Sequence, residues 1–526
     1  MLRVRDLTLG LEEPESHLPQ ETARQLRLPE RDILSFQIVR RSVDARKKDA
    51  IRLVYTVDVL LKNEERACCS PRVTAVRPLC YTPPRPAVMP CDRPVVVGFG
   101  PGGIFAALLL AEAGLRPLVL ERGLDVETRR KKVETFWQTG KLDPACNVQF
   151  GEGGAGTFSD GKLNTGIHDP RVRWVLEQFH AAGAQDNILT DAKPHIGTDV
   201  LSRVVAGLRK RIEGLGGEVR FGCRLTGLVH SAGALSGIRF EDNGIECSLP
   251  CRQMILAIGH SARDTFVMLN GLGVPMERKP FSMGMRVEHK QSWLDRAQYG
   301  EMAGHPRLPP ADYKLSVHLP DGSSAYSFCM CPGGQVVAAA SEEGGVVTNG
   351  MSAAARDGEN CNAALLVTLR PEDFPGEGVL AGMEWQRRLE REAFQIGGDY
   401  RAPAQLVGDF LAGRVSSGMG RVKPSYRPGV VFTELRRCLP EMITDVIGRA
   451  LPVFDRWLKG FAQEDAVLTA PETRSSCPVR IVRDDGYQAG LRGVFPCGEG
   501  AGYAGGITSA AVDGLRCAEA LIAGLV

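Results

Sequence analysis

Gly98, Gly100 and Gly103 stand in the spacing G-x-G-x-x-G inside residues 93–103, RPVVVGFGPGG. Such a loop can cradle a pyrophosphate. The first glycine makes the tight turn, the second lets the backbone approach the phosphates, and the third lets helix and strand pack closely. Spacing alone proves little: with 60 glycines among 526 residues, chance placement gives the pattern roughly once per chain. It recurs at Gly151/Gly153/Gly156 and at Gly500/Gly502/Gly505. Only the first occurrence has the full setting. An apolar strand, Val95 to Val97, precedes it, a helix from Gly103 to Ala113 follows, and a second strand from Pro117 to Leu120 runs into Glu121, 23 residues beyond Gly98. In this reading Gly98, Gly100, Pro101, Gly102, Gly103 and Ile104 form the phosphate-facing turn and the start of a helix whose dipole favours an anion. Glu121 accepts hydrogen bonds from ribose hydroxyls and disfavours a 2′-phosphate, and Arg122 beside it is a further contact.

The other two glycine clusters lack folds of their own. Gly151 to Gly156 follows Asn147 to Phe150, a segment too short and polar for a central parallel strand. Gly500 to Gly505 follows an adequate strand, Gly493 to Cys497, with too little chain after it for a second strand. Both find a place in a resemblance. The sequence resembles the large family of FAD-dependent oxidoreductases with a glutathione-reductase-like flavin domain, in which separated segments close on one cofactor. Residues 151–163, GEGGAGTFSDGKL, are similar to that family's second glycine-rich loop, which implies contacts from Gly154, Ser159, Gly161, Lys162 and Leu163 to the pyrophosphate, ribityl chain and ring. Residues 254–260, MILAIGH, stand where the family carries an apolar strand ending in Ala-Thr-Gly, with Gly259 as the contact and Ile258 replacing the threonine. Residues 493–502 resemble the closing strand that ends in Gly-Asp, with Gly498 followed by Glu499 toward the ribityl hydroxyls. Gly506 and Ile507 then open a helix whose positive end would stabilise a reduced flavin. Over essentially the whole chain the match is most similar to a bacterial group of FAD-dependent dehydrogenases. Its shared motifs are residues 150–163, 193–199, 328–334, 349–352, 472–478 and 497–506. The resemblance implies FAD as cofactor and two-electron chemistry on a small-molecule substrate; with no second complete dinucleotide fold to bind it, NAD(P)H could serve only as a donor that docks transiently over the flavin.

Further residues have types suited to chemistry near a flavin. Cys329 and Cys331 form C-x-C, and on a strand residues i and i+2 face the same way, so they read either as a dithiol relaying electrons or as ordinary buried strand cysteines. His195 reads as an acid near the ring or as a structural histidine. Lys162, Glu342 and Arg474 could bind an anionic substrate, tune the flavin or cap loops. The adjacent Cys68 and Cys69 are given no role. None of the 9 histidines and 15 cysteines stands in a zinc or Ser-His-Asp pattern, so no metal is expected.

The elements that must position these residues imply an α/β architecture: a discontinuous Rossmann-like FAD/NAD(P)-binding domain with an inserted α+β substrate or cap domain and a small N-terminal α/β domain. Residues 1–88 form the N-terminal domain, 92–280 with 471–526 the FAD-binding domain, and 281–470 the cap. Period-2 alternation makes Ile51 to Val59 a strand. Ile33 to Val39 reads as another strand and Pro19 to Leu26 as a short helix, with the basic run Arg40 to Lys48 as a connection between the strands. Pro83, Pro84, Pro86, Pro90 and Pro94 mark a linker. In the cap, Phe281 to Glu288, Ser327 to Cys331 and Gln335 to Ala340 read as strands, and Glu384 to Phe394 and Glu441 to Phe461 as helices. With 64 Lys and Arg against 62 Asp and Glu, the net charge of +2 creates no field that would draw in nucleic acid or lipid. One alternative reading is an FAD-dependent RNA-modifying or RNA-binding protein that docks RNA on Arg40 to Lys48, and another is a protein whose FAD is purely structural. No signal or membrane-spanning run is evident, which implies a cytoplasmic protein. Oligomeric state is not legible.

Overall fold

The computed structural model describes residues 1–67, 70–77 and 80–525, so the Cys68–Cys69 pair lies outside the described residues. The N-terminal module is a four-stranded antiparallel sheet in the order Ile33–Asp44, Arg52–Leu61, Leu2–Gly10, Val73–Ala75, with the helix Leu18–Leu26 against it. Leu53, Tyr55, Val57 and Val59 all point into its core. The expected strand Ile33 to Val39 continues to Asp44, and this corrects the reading of Arg40 to Lys48 as a mere connection. Arg41, Ser42 and Val43 pair with Tyr55, Val54 and Leu53. The outward edge of Arg41 is also engaged: its N–H donates to Thr190 O at 2.7 Å and its Nε to Asp191 at 2.9 Å. The basic segment thereby pins the module to the next domain.

Residues 80–94 carry no regular secondary structure, as expected where proline removes N–H donors. Beyond them Val95–Val97 is the central strand of a five-stranded parallel sheet. Its order is Val494–Pro496, Met254–Leu256, Val95–Val97, Leu118–Glu121, Glu218–Phe221, so the chain's last strand returns to close the sheet. Side-chain parity divides the strands between two cores. Val96, Val119 and Ile255 face the helices Pro101–Glu112, Thr198–Gly214 and Ile507–Ala523. Val95, Val97, Leu118, Leu120, Met254 and Leu256 face an antiparallel three-stranded sheet formed by Cys223–Ser231, Ala234–Asp242 and Ile245–Pro250. The helix Pro101–Glu112 is apolar all round and buried from Gly102 to Ala111, because the C-terminal helix covers the side that the sheet does not.

The cap is built on a seven-stranded sheet in the order Ser316–His318, Ser324–Cys331, Asn360–Leu369, Phe281–Lys290, Val467–Glu472, Ala402–Leu406, Val430–Phe432, antiparallel except for the last pair. The helices Ala381–Gly397 and Glu441–Trp457 pack on it. Val467–Glu472 is an interior strand of this sheet, so the expected boundary at 470/471 falls within it. Among the described residues no helix is long and apolar enough to cross a membrane.

Candidate functional site

The three glycine clusters meet. Gly103 can sit under the turn only because it has no side chain: a Cβ there would lie 1.9 Å from Gly98 O. The first and second loops also touch backbone to backbone, since a Cβ on Gly154 would come within 2.9 Å of Gly100 Cα. Glu121, buried at the end of its strand, ties both loops together. Its Oε2 accepts the Phe99 N–H at 2.7 Å, and its Oε1 accepts those of Gly123 and Gly151, each at 2.9 Å. A carboxylate offers about four acceptor positions, so one remains for a ligand hydroxyl. Arg122 lies over the Phe150 ring at 4.4 Å and donates to Asp264 at 2.8 Å. The third segment joins through Thr508, whose hydroxyl donates to Leu163 O at 2.7 Å, and through Asp513, which accepts the Gly498 N–H at 2.7 Å.

Between these loops and the cap runs a cavity of about 480 Å³. Its lining includes every cofactor contact expected from the sequence except Gly103, Ile104 and Leu163, which pack behind it. The start of the helix Ile507–Ala523 opens onto it, with first-turn N–H groups that have no partner inside the helix. On the cap side Tyr313, Lys314, Cys329 and Met330 complete the wall.

The candidates for chemistry separate. Lys162 lines the cavity and donates to Asp160 at 2.7 Å and to Met330 O. Burial works against its charge, but Asp160 outweighs it and holds the ammonium above its ordinary pKa. Arg474 also lines the cavity, with Nε and Nη2 on Glu390 at 2.9 and 2.7 Å and Nη1 on Ser261 and Ser341. His195 does not line it: its Nε2 lies 3.2 Å from Ala354 O, its backbone bridges to Lys162, and burial followed by Arg356 lowers its pKa. Glu342 stands outside as well, paired with Arg263 at 2.6 Å and Arg387 at 2.8 Å. The strand parity expected for Cys329 and Cys331 fails. Pairing with Asn360–Leu369 jumps from Phe328↔Ala364 to Cys331↔Asn362, a bulge that turns Cys329 toward the cavity while Cys331 stays buried.

Sequence reasoning missed Asp160, Arg356, Ser352 and His260. Asp160 is wholly buried and accepts from Arg356 Nε at 2.9 Å and from Ser352, so it locks the second loop to the cap. Partners this far apart in sequence carry no spacing signal. His260 Nδ1 lies 2.8 Å from Ser261 Oγ, and burial, then Arg474 and Arg263, push its pKa down to about 3. It is a neutral imidazole beside Glu499, 3.8 Å away.

Comparisons with known proteins give this geometry a family. Residues 280–475 match the model of the FAD-dependent protein C-terminal domain-like family, and residues 1–60 match a domain of unknown function. An uncharacterized protein of Clostridium beijerinckii is 46% identical over 531 residues, covering 99% of this chain and 98% of its own. The chain belongs to this family of FAD-dependent proteins. Among solved structures, a triple mutant of the flavin-dependent brominase Bmp2 is 13% identical over 82% of this flavoprotein and 81% of its own chain, with a TM-score of 0.38. The FAD-complexed glycerol-3-phosphate dehydrogenase of Bacillus halodurans is 10% identical over 82% and 64%, with a TM-score of 0.36. Likeness at that level adds nothing to the flavoprotein's own topology.

FAD is the cofactor, and the residues present fit it. The loops are stripped of side chains where a pyrophosphate must approach, Glu121 keeps an acceptor free, and the cavity continues past Glu499 to a helix start. Glu499 gives the site a pH signature. Burial pushes its carboxyl up to about 7, with Lys279 opposing and Cys329 adding to the rise. A raised folded-state pKa means that its contribution to stability is complete below the unfolded value, about 4.3, and is lost as pH rises through about 7. In FAD-free flavoprotein, Glu499→Gln is expected to raise the melting temperature by about 2 °C at pH 8 and to leave it unchanged at pH 4. Equal shifts at both pH values in thermal melts followed by circular dichroism would count against this reading.

Proposed function

We propose that the protein is an FAD-dependent oxidoreductase that passes two electrons between a small, anionic substrate and a second reactant, each reaching the flavin in turn. One observation carries the reading: a single cavity is floored by the three dinucleotide-binding segments and roofed by the cap, and its cap end holds cations. Gly98 to Gly103 would hold the pyrophosphate, Glu121 the adenosine ribose, Glu499 the ribityl hydroxyls, and the N-terminus of Ile507–Ala523 the negative end of the ring. When bound, FAD supplies a reversible two-electron acceptor.

The protein's own residues do the rest. Lys162 and the one N–H of Arg474 Nη2 that Glu390 leaves free supply positive charge for a carboxylate or phosphate. The cap strands exclude water from the exchange. The seam is held across the mouth by Lys193 on Asp312 at 2.6 Å. NAD(P)H fits this scheme as a donor that docks transiently over the flavin. An RNA-docking role finds no support in the basic segment, where Arg41 is tied to Asp191 and Arg46 to Asp44.

Anaerobic stopped-flow with NADH and NADPH in parallel tests the proposal. Bleaching of the flavin absorbance by one nicotinamide, followed by reoxidation with an added acceptor, is the expected result. A protein whose FAD is reduced by neither nicotinamide, nor by dithionite, would have a structural flavin.

A further inference from the structure

The bulge in Ser324–Cys331 has a use that the flavin site does not explain. One extra residue is accommodated between Phe328 and Cys331, and Cys329 takes it up with a φ of +42°, a conformation uncommon outside glycine. Bulges re-aim side chains next to active sites. Here the result is that Cys329 faces the cavity and Cys331 lies fully buried behind it.

Two cations hold the turned backbone. Arg286 Nη1 donates to Cys329 O at 3.0 Å, and Lys162 Nζ donates to Met330 O. Arg286 is itself immobile: all five of its N–H donors are taken, by Glu472 at 2.9 Å twice, by Asn362 at 3.0 Å, by Asn349 at 3.1 Å and by Cys329 O. Cys331 Sγ lies 3.2 Å from Cys329 O, which brings the second thiol back over the first residue.

We propose that Cys329 and Cys331 are a redox-active dithiol that exchanges two electrons with the flavin. The proposal rests on FAD occupying this cavity. In the exchange the Cys329 thiolate and the Cys331 thiol form one S–S bond, the Cys331 S–H bond breaks, and its proton and the two electrons pass to oxidised FAD, which becomes the reduced anion; charge and hydrogen balance. The electrostatics suit the two roles. A hydrogen bond from Cys331, then Arg286 and Lys162, lower the Cys329 pKa against burial and the opposing charge of Asp160, while Cys331 is held high as the proton carrier. Cys329 and Glu499 line the same cavity, Cys329 from the cap and Glu499 from the flavin-binding segments. A low-pKa thiolate facing a cavity with a second thiol behind it is the arrangement that makes cysteine reactive rather than structural.

The test uses air-oxidised holoprotein. Digestion with trypsin releases Leu315 to Arg356, which contains these two cysteines and no others. The expected peptide resists iodoacetamide and is lighter by two hydrogens than after reduction. Anaerobic dithionite titration is expected to take four electrons per FAD in the wild type and two in Cys329→Ser and Cys331→Ser. Cys331→Ser should also show a long-wavelength charge-transfer absorbance that alkylation of Cys329 abolishes. Bound FAD with two-electron uptake in the wild type and two freely alkylated thiols would overturn the dithiol alone. A preparation that takes up no FAD would overturn it together with the cofactor reading.

Discussion

Arg129→Met is expected to weaken FAD binding at least 100-fold and to cost the apoprotein about 3 kcal/mol or more. Arg129 is fully buried and bonds to no carboxylate; its guanidinium is spent on the second glycine loop. Nε donates to Asn147 O at 2.8 Å, Nη2 to Val148 O at 2.9 Å, and Nη1 to Gly151 O at 3.2 Å and Glu152 O at 2.7 Å. Burial drives its pKa down to about 10, the mark of a cation held by dipoles rather than by an anion. Hydrogen bonds to a charged group are worth about 1.5–3 kcal/mol each, and buried acceptors left without donors cost about 1–3 kcal/mol. Several are lost together here, so even partial relaxation leaves a loss of several kcal/mol. Methionine replaces the aliphatic stem and none of the donors. Each 1.4 kcal/mol of lost preorganisation is tenfold in Kd, which sets the 100-fold expectation for FAD titrated by flavin fluorescence quenching. Arg129→Lys should fall between, since an ammonium cannot reach four carbonyls with fork geometry. FAD affinity within a factor of about three of wild type in Arg129→Met would show that Glu121 alone holds the loop.

Glu390→Leu is the second large effect, expected at about 3–5 kcal/mol of stability. Glu390 is 1% exposed on the helix Ala381–Gly397 and is clasped from two sides. Arg263 from the flavin domain donates two bonds of 2.9 Å, and Arg474 donates bonds of 2.9 and 2.7 Å. Thr473 adds a fifth at 2.7 Å. Burial alone would raise this carboxyl, but the two guanidiniums hold it far below the usual range. Leucine fills the volume and leaves two nearly buried cations facing each other, with only the partly exposed Glu342 near Arg263. The sign with pH follows: a depressed folded-state pKa contributes stability above the unfolded value of about 4.3 and loses it as pH falls further. Wild type should therefore approach the variant's stability in acid. Urea unfolding at pH 7 and pH 3 measures both, and a loss of the same size at the two pH values would mean that packing, not charge, dominates.

Much of the flavin site is legible in the chain because its chemistry is local. Gly98 to Glu121 is a contiguous strand, turn, helix and strand, and every group expected to meet the phosphates there lies within one βαβ unit. The glycine clusters at Gly151 and Gly500 could be placed only by resemblance, since neither forms an element alone; the structure ties the second loop to the first through Glu121 and the third segment to the second through Thr508. The cap strands and helices follow from periodicity with shifts of a few residues at their ends. The N-terminal strand ran longer than expected because cross-strand pairing with Arg52–Leu61 overrides the local preference of a basic run for solvent.

The sequence by itself determined the dinucleotide fingerprint at Gly98 to Glu121 and most strands and helices of the cap, since a contiguous strand-turn-helix-strand and alternating apolar residues act over a few positions, while the other two segments of the cavity floor came through the resemblance. Tertiary structure alone decided which charged groups are spent on architecture and which face the cavity. Arg129, Arg286, Glu390 and Asp160 look like ordinary surface charges in the chain, and burial makes them the clamps of the site. His195 and Glu342 are drawn off into seams, while a single bulge turns Cys329 inward. The reason is that a charge's role depends on what is packed against it, and those partners lie as many as 196 residues away in sequence.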